Sequence, residues 1–281
     1  MEALYSSVHY WLVDHPTISQ FEWKQGHTFG SSLLFLTLSI SIYLSITLLS
    51  LRFSSSLLPT LSVTTLHRIT AVHSLILCLL SLIMAVGCSL AVLHQTPRHD
   101  PKWVFCFPAN YIVPRGPIFF WAQVYFLSKT LEFIDTFLII LSSSRSRRFS
   151  FLHVYHHTMV PLLCYLAIYT SQSLIHVVVI INSSIHVLMY AYYFLCAIGK
   201  RPWWKRLVTD CQIVQFMFGF VCSPIMLYYH FTTEIGCSGF GPWCACIAFN
   251  ASLLALFLDF HSNNYGNKIR KDRDSKMEKQ T

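Results

Sequence analysis

From Gly30 to Leu51, and again from Ala71 to Leu93, the chain runs without a single Asp, Glu, Lys or Arg. A helix of about 20 predominantly apolar residues is long enough to cross the hydrocarbon core of a bilayer. Five further stretches follow. Pro117 to Leu141 is long enough but carries Lys129, Glu132 and Asp135; then come Phe151 to Tyr169, Leu174 to Ile198, Leu207 to Tyr229 and Phe240 to Phe260. The expected fold class is an all-α polytopic membrane protein with seven transmembrane helices, the fourth and fifth forming an antiparallel hairpin. One membrane unit would span 30–260, between a segment over 1–29 and a basic tail over 261–281. Charged residues make up 11% of the chain, against roughly 25% in soluble domains. An ordinary water-facing surface is therefore excluded, and disordered, collagen-like and nucleic-acid-binding classes go with it.

The distribution of Lys and Arg orients such a bundle, because cytosolic connections carry the excess. With the amino terminus outside the cytosol, the cytosolic side holds fifteen basic residues and the opposite side four, namely Lys24, Arg98, Lys102 and Arg115. The cytosolic set includes Arg145, Arg147, Arg148, Lys200, Arg201, Lys205 and Arg206, with six more in the tail. A lumenal amino terminus and a cytosolic carboxyl terminus are expected. The first 29 residues lack the pattern of a cleaved signal peptide, so the first span is expected to act as its own targeting signal. Anionic lipid accounts for a basic collar of this kind, and a phosphorylated ligand is the sharper alternative.

Of ten cysteines, only Cys106 and Cys237 fall in non-cytosolic connections, where an oxidising compartment would let them pair. No C-x-x-C occurs, so zinc-ribbon and thioredoxin-type sites have no support. Asn182-Ser-Ser and Asn250-Ala-Ser match the glycosylation pattern but lie inside spans and are discounted.

Four spans carry polar stripes. A charge at the bilayer centre costs on the order of 2.5 to 3.5 kcal/mol, so Lys129, Glu132 and Asp135 must face one another or a wet cavity. With Thr136 they stand at i, i+3, i+6 and i+7, along one helical face. The reading is either an ion-pair stripe holding the bundle together or part of a site. His153, His156 and His157 share a face of the next span, suited either to metal ligation or to proton transfer and nucleophilic attack. The fifth span presents Asn182, His186, Met189, Tyr190 and Tyr193 along one flank, and the sixth Thr209, Gln212 and Gln215. Together they suggest a polar chamber reached from the basic side. His176, His230 and His261 stand near span ends and read as interfacial.

Lys129-x-x-Glu132-x-x-Asp135-Thr136, His153-x-x-His156-His157, His186-x-x-Met189-Tyr190-x-Tyr192-Tyr193 and Thr209-x-x-Gln212-x-x-Gln215 resemble, in order and spacing, the four signature motifs of the ELO family. These are membrane elongases of very-long-chain fatty acids. No motif residue departs from the pattern, and the resemblance runs from about Pro117 to Tyr229.

What the resemblance implies is a 3-ketoacyl-CoA synthase of the endoplasmic reticulum. It would condense a long acyl-CoA with malonyl-CoA, releasing CO2 and CoA, with no bound cofactor or metal. The implied fold is an inverted barrel of six helices around a narrow acyl tunnel, with a seventh helix outside. The implied mechanism is ping-pong through an acyl-imidazole, His156 accepting the acyl group and His157 or His153 assisting. Lys129, His186 and Gln212 would face the enolate, and Asn182 would orient a catalytic histidine. Glu132, Asp135, Met189, Tyr190, Tyr193 and Gln215 complete the expected substrate-binding set. The seven basic residues between Arg145 and Arg206 named above are candidates for the CoA phosphates. The pathway implies a ketoacyl reductase, a dehydratase and an enoyl reductase as partners, with membrane lipid around the bundle and a homodimer left open. Two rivals are a histidine-box di-iron desaturase or hydroxylase, and a seven-helix receptor or transporter. The first needs about eight histidines in three boxes; the second leaves the four motifs unexplained. The tail's Lys276-Met-Glu-Lys279 is an imperfect dilysine pattern and supports endoplasmic reticulum residence only weakly.

Overall fold

A computed structural model describes residues 2–52, 62–96, 100–109, 113–142 and 150–263. They form a helical bundle: α1 (Glu2–His9), α2 (Pro16–Ser19), α3 (Leu33–Arg52), α4 (Val63–Gln95), α5 (Pro117–Leu131), α6 (Phe133–Ile140), α7 (Phe151–Tyr169), α8 (Ile175–Ala197), α9 (Lys205–Thr232) and α10 (Phe240–His261). A π-helical turn, Tyr10–Asp14, follows α1, and a 3-10 turn, Pro101–Val104, lies between α4 and α5. Six helices, α3, α4 and α7 to α10, are long and apolar enough to cross a membrane, and the chain is a multi-pass membrane protein. The expected inverted-barrel description goes further than this set of helices does.

The third expected span differs from the sequence reading. It is not one helix but two, α5 and α6, meeting at Glu132. Glu132 keeps a helical backbone (φ −64°, ψ −15°) and the α-helical bond from its N–H to Ser128 O at 3.0 Å, but its carbonyl receives Asp135 N at 3.0 Å, a three-residue step that tightens the turn. The break falls where the Glu132 carboxylate turns inward to Lys129 and His186.

Antiparallel packing of α4 on α8 is recorded by three contacts at stepped positions. His67 Nδ1 lies 3.1 Å from Ala197 O, Cys78 Sγ 3.5 Å from Val187 O and Cys88 Sγ 3.9 Å from His176 O. Small residues let helices approach. Gly87 of α4 sits directly on the Trp121 ring of α5. On α3, Tyr43 stacks on Phe133 at 4.3 Å between ring centres.

At one end of the bundle three connections are tied together. Cys106 and Cys237 form the expected disulfide, and Pro108 bridges Cys237. Phe107 N donates to Ser173 Oγ (3.1 Å), and Ser173 Oγ donates to Ser238 O (3.0 Å). His176 belongs to this end, where it corrects the sequence reading. It is 1% exposed, stacked on Trp103 and Phe107, and not at an interface. His230 stacks on Phe240 at the same end, while His261 pairs with Asp210 at the other. The amino-terminal residues fold back here too, with Trp23 Nε1 donating to Gln123 Oε1 (3.0 Å) and Glu22 bridging Arg115.

Candidate functional site

The polar stripes meet toward the end opposite the disulfide. Ser150 caps α7, its Oγ accepting from His153 N at 3.3 Å. The cap starts the helix so that His153, His156 and His157 lie in its first two turns. Pro161, one turn further, has no N–H to give to the carbonyl of His157, which loosens the helix beside the site.

The three imidazoles then diverge. His153 Nε2 lies 2.8 Å from Thr136 Oγ1, which is 3.2 Å from Tyr43 OH. His157 is buried against His153, their rings 4.4 Å apart. His156 turns the other way, lining a cavity together with Tyr125, Asn182 and Gln215. Its Nδ1 is buried and has no hydrogen-bond partner among the described residues.

Across from the histidines, Lys129 and Glu132 form an ion pair of 2.7 Å with side chains only 3% exposed. Four groups surround the ammonium. Besides Glu132, its Nζ donates to Asn182 Oδ1 (3.1 Å), lies 3.4 Å from His186 Nδ1, and stands 4.4 Å above the Tyr125 ring. His186 Nδ1 is 3.2 Å from Glu132 Oε1. A proton on Nδ1 satisfies that contact and leaves Nε2 as the acceptor or base, the way a carboxylate fixes an imidazole tautomer. Asn182 is shared between helices, accepting from Tyr125 OH (2.7 Å) and donating to Gln215 Oε1 (3.4 Å). Among the described residues its link to a histidine runs through Lys129 to His186.

Beyond the helix break, Asp135 serves a second cluster. Its Oδ2 accepts from Tyr190 OH at 2.7 Å. Its Oδ1 lies 3.1 Å from His73 Nε2, an ion-pair distance reached off the hydrogen-bonding direction. Tyr190 also meets the His186 ring edge-on at 5.5 Å.

Gln212 and Tyr193 are not among the residues that line the cavity. Gln212 Nε2 donates to Met189 Sδ at 3.5 Å, and Gln215, three residues on, reaches the cavity in its stead. Tyr193 packs edge-on against Tyr190 but is 42% exposed. Lys200, Arg201, Lys205 and Arg206 are exposed around the start of α9, Arg206 lying 3.7 Å from Asp210. Arg145, Arg147 and Arg148 lie outside the described residues. Three participants escaped the sequence reading: Tyr43, His73 and Tyr125. The signal for Tyr125 was its place one turn before Lys129 on the same face. For His73 it was an ionisable group inside an otherwise uncharged span.

The cavity has a volume of about 190 Å³. It is lined from α5, α7, α8, α9 and α10, and its walls are mostly apolar: Val160, Leu163, Ile168, Val179 and Phe216 among them. From His156 to Ile168, both of which line it, α7 rises about 18 Å at roughly 1.5 Å per residue. At the disulfide end it meets Gln172, Trp243 and Cys246. A long apolar space with His156, Tyr125, Asn182 and Gln215 in its wall suits a hydrophobic chain with a reactive polar head.

The fold and site thus define a polytopic membrane protein with a buried polar centre above an apolar cavity. In sequence, residues 28–274 match the GNS1/SUR4 family, ELO, and the chain belongs to that family. Fatty acid elongase A of Dictyostelium discoideum is 32% identical over 263 residues, 90% of each chain. Fatty acid elongase 3-like of Arabidopsis thaliana is 28% identical over 277 residues, 92% of each chain. Very long chain fatty acid elongase 5 of Mus musculus is 34% identical over 148 residues, 51% of this chain and 48% of that protein.

Proposed function

We propose that the chain is the condensing enzyme of fatty acid elongation, a very-long-chain 3-oxoacyl-CoA synthase. Its substrates are a long-chain acyl-CoA and malonyl-CoA; its products are 3-oxoacyl-CoA, CO2 and CoA. The observation that carries the reading is His156, an imidazole lining an apolar cavity with Asn182 and Gln215 beside it.

In the first half-reaction an imidazole nitrogen of His156 attacks the thioester carbonyl. The carbon–sulfur bond breaks, the imidazole proton passes to a neighbouring base, and CoA leaves as the thiol once the sulfur is protonated. Splitting a difficult acyl transfer through a covalent intermediate is what such a nucleophile contributes. In the second half-reaction malonyl-CoA loses CO2 and the resulting enolate carbon attacks the acyl-imidazole, returning the electron pair to the ring. Donors aimed at developing oxyanions lower both barriers. Lys129 and His186 fill that role, with Asn182 and Glu132 holding them in place. His153 and His157 back the reacting imidazole.

The acyl chain occupies the apolar cavity with its far end toward the Cys106–Cys237 disulfide. That end faces the lumen of the endoplasmic reticulum, as the amino terminus does, and the carboxyl terminus is cytosolic. The pair α5 and α6 supplies the seventh crossing. Lys200, Arg201 and Lys205 contact the CoA phosphates from the cytosolic side, and the ketoacyl reductase, dehydratase and enoyl reductase of the cycle take the product onward.

The test is purified protein with radiolabelled malonyl-CoA, a panel of acyl-CoAs and no reductant. Labelled 3-oxoacyl-CoA should accumulate with the wild type and be absent with folded His156→Ala. Turnover by His156→Ala at the wild-type rate removes the nucleophile; no product from any acyl-CoA removes the function.

A further inference from the structure

The cluster that the elongation chemistry leaves unused lies at the disulfide end, remote from the histidine box. His9, Asp14 and His94 each direct one ligand atom into a common space, all three atoms within 4.8 Å of one another. His9 Nδ1 is 2.7 Å from Asp14 Oδ2, and the His9 and His94 rings are 5.1 Å apart between centroids.

The backbone is shaped for this meeting. Residues five apart do not face each other on an α-helix, whose neighbours are three and four apart. The π-helical turn Tyr10–Asp14 adds the extra residue and brings Asp14 beside His9. Single π turns of this kind recur at functional sites. The turn is seated before any ligand arrives: Trp121 Nε1 donates to Leu12 O at 3.0 Å, and Val13 is 1% exposed. His94 comes from the last turn of α4, a separate element. Asp14 and His94 also line a polar pocket with Glu22, Gln95 and Arg115, so the open side of the cluster is wet.

We propose that His9, Asp14 and His94 form a zinc site that fastens the amino-terminal turn to the end of α4. Two imidazoles and one carboxylate are a ligand set for borderline divalent cations, and three protein ligands leave a fourth tetrahedral position for water. Zinc replaces the proton now shared between His9 and Asp14, each imidazole keeping its remaining proton on the nitrogen that does not bind. The three ligand atoms already lie within 4.8 Å of one another, and in this proposal the side chains of Asp14 and His94 turn onto the ion about the seated backbone. Nothing in this site depends on the elongase reading.

The experiment uses the full chain in detergent, freed of any affinity tag and stripped with chelator, then titrated with zinc chloride against a chromogenic zinc indicator. One zinc per chain is expected, with the thermal midpoint rising on zinc addition, because a ligand that binds only the folded state stabilises it. Asp14→Asn keeps the shape and should weaken binding at least tenfold; His9→Ala and His94→Ala should abolish it. A His156→Ala, His157→Ala double variant should bind zinc as the wild type does. The proposal fails if the wild type binds no zinc, if His9→Ala and Asp14→Asn bind it unchanged, or if the histidine-box variant is the one that loses it. Should His94→Ala not fold, His9→Ala and Asp14→Asn decide the matter alone.

Discussion

Lys129 and Glu132, one turn apart where α5 gives way to α6, hold each other at 2.7 Å with almost no exposure of either side chain. The pair is also the hinge of the site, since Lys129 reaches Asn182 and both partners reach His186. Removing one partner of a buried ion pair strands the other charge. Glu132→Gln should therefore lower stability by about 3–5 kcal/mol, while an apolar replacement of both residues should cost less. Thermal unfolding in detergent distinguishes them; a double variant as unstable as Glu132→Gln would show that the charge pairing is not what matters.

Asn182→Leu keeps the volume but removes the acceptor shared by Tyr125 and Lys129 and the donor to Gln215. Lys129 then loses its fixed aim at the reacting groups. We expect kcat to fall roughly a hundredfold, the scale of losing one oriented electrostatic donor. KM for acyl-CoA should change far less, because the apolar walls are untouched; a rise in KM at constant kcat would place Asn182 in ground-state binding.

Gly87→Ala tests the approach of α4 to α5. A Cβ there would stand 2.3 Å from Trp121 Cε2, closer than atoms can sit. Trp121 cannot retreat without losing Leu12 O and its buried place. The variant should be destabilised by about 1–3 kcal/mol, the usual range for overpacking, and Gly87→Ala with Trp121→Phe should regain part of it. An unchanged thermal midpoint in the single variant would mean that α4 and α5 slide freely.

Reducing the disulfide should also be felt globally. Cys106 and Cys237 are separated by 131 residues, and native disulfides are typically worth 2–5 kcal/mol. The thermal midpoint should drop in reductant for the wild type and not for Cys106→Ser, which starts from the lower value.

Much of the architecture was legible in the sequence because the bilayer admits few solutions. Length and apolarity alone mark α3, α4 and α7 to α10, and excluding cysteines from spans and cytosolic connections leaves Cys106 with Cys237. The site was legible as four stripes, since helical periodicity shows which residues share a face. Periodicity is silent about what each face meets. It could not show that Gln215 and not Gln212 reaches the cavity, or that Tyr193 turns outward. Both depend on the rotation of one helix about its axis, which is set by packing against its neighbours. Nor could it show Glu132 breaking its helix, for the carboxylate is drawn inward by Lys129 and by His186, which lies 54 positions later.

The sequence by itself determined that this chain enters a membrane and which polar residues must be hidden from lipid, because those follow from transfer costs paid residue by residue. Only the tertiary structure decided that His156, of three adjacent histidines, opens onto the cavity while His153 and His157 turn to Thr136 and Tyr43. Neighbouring positions on one helix point about 100° apart, and which of those directions becomes an interior depends on helices folded from distant parts of the chain.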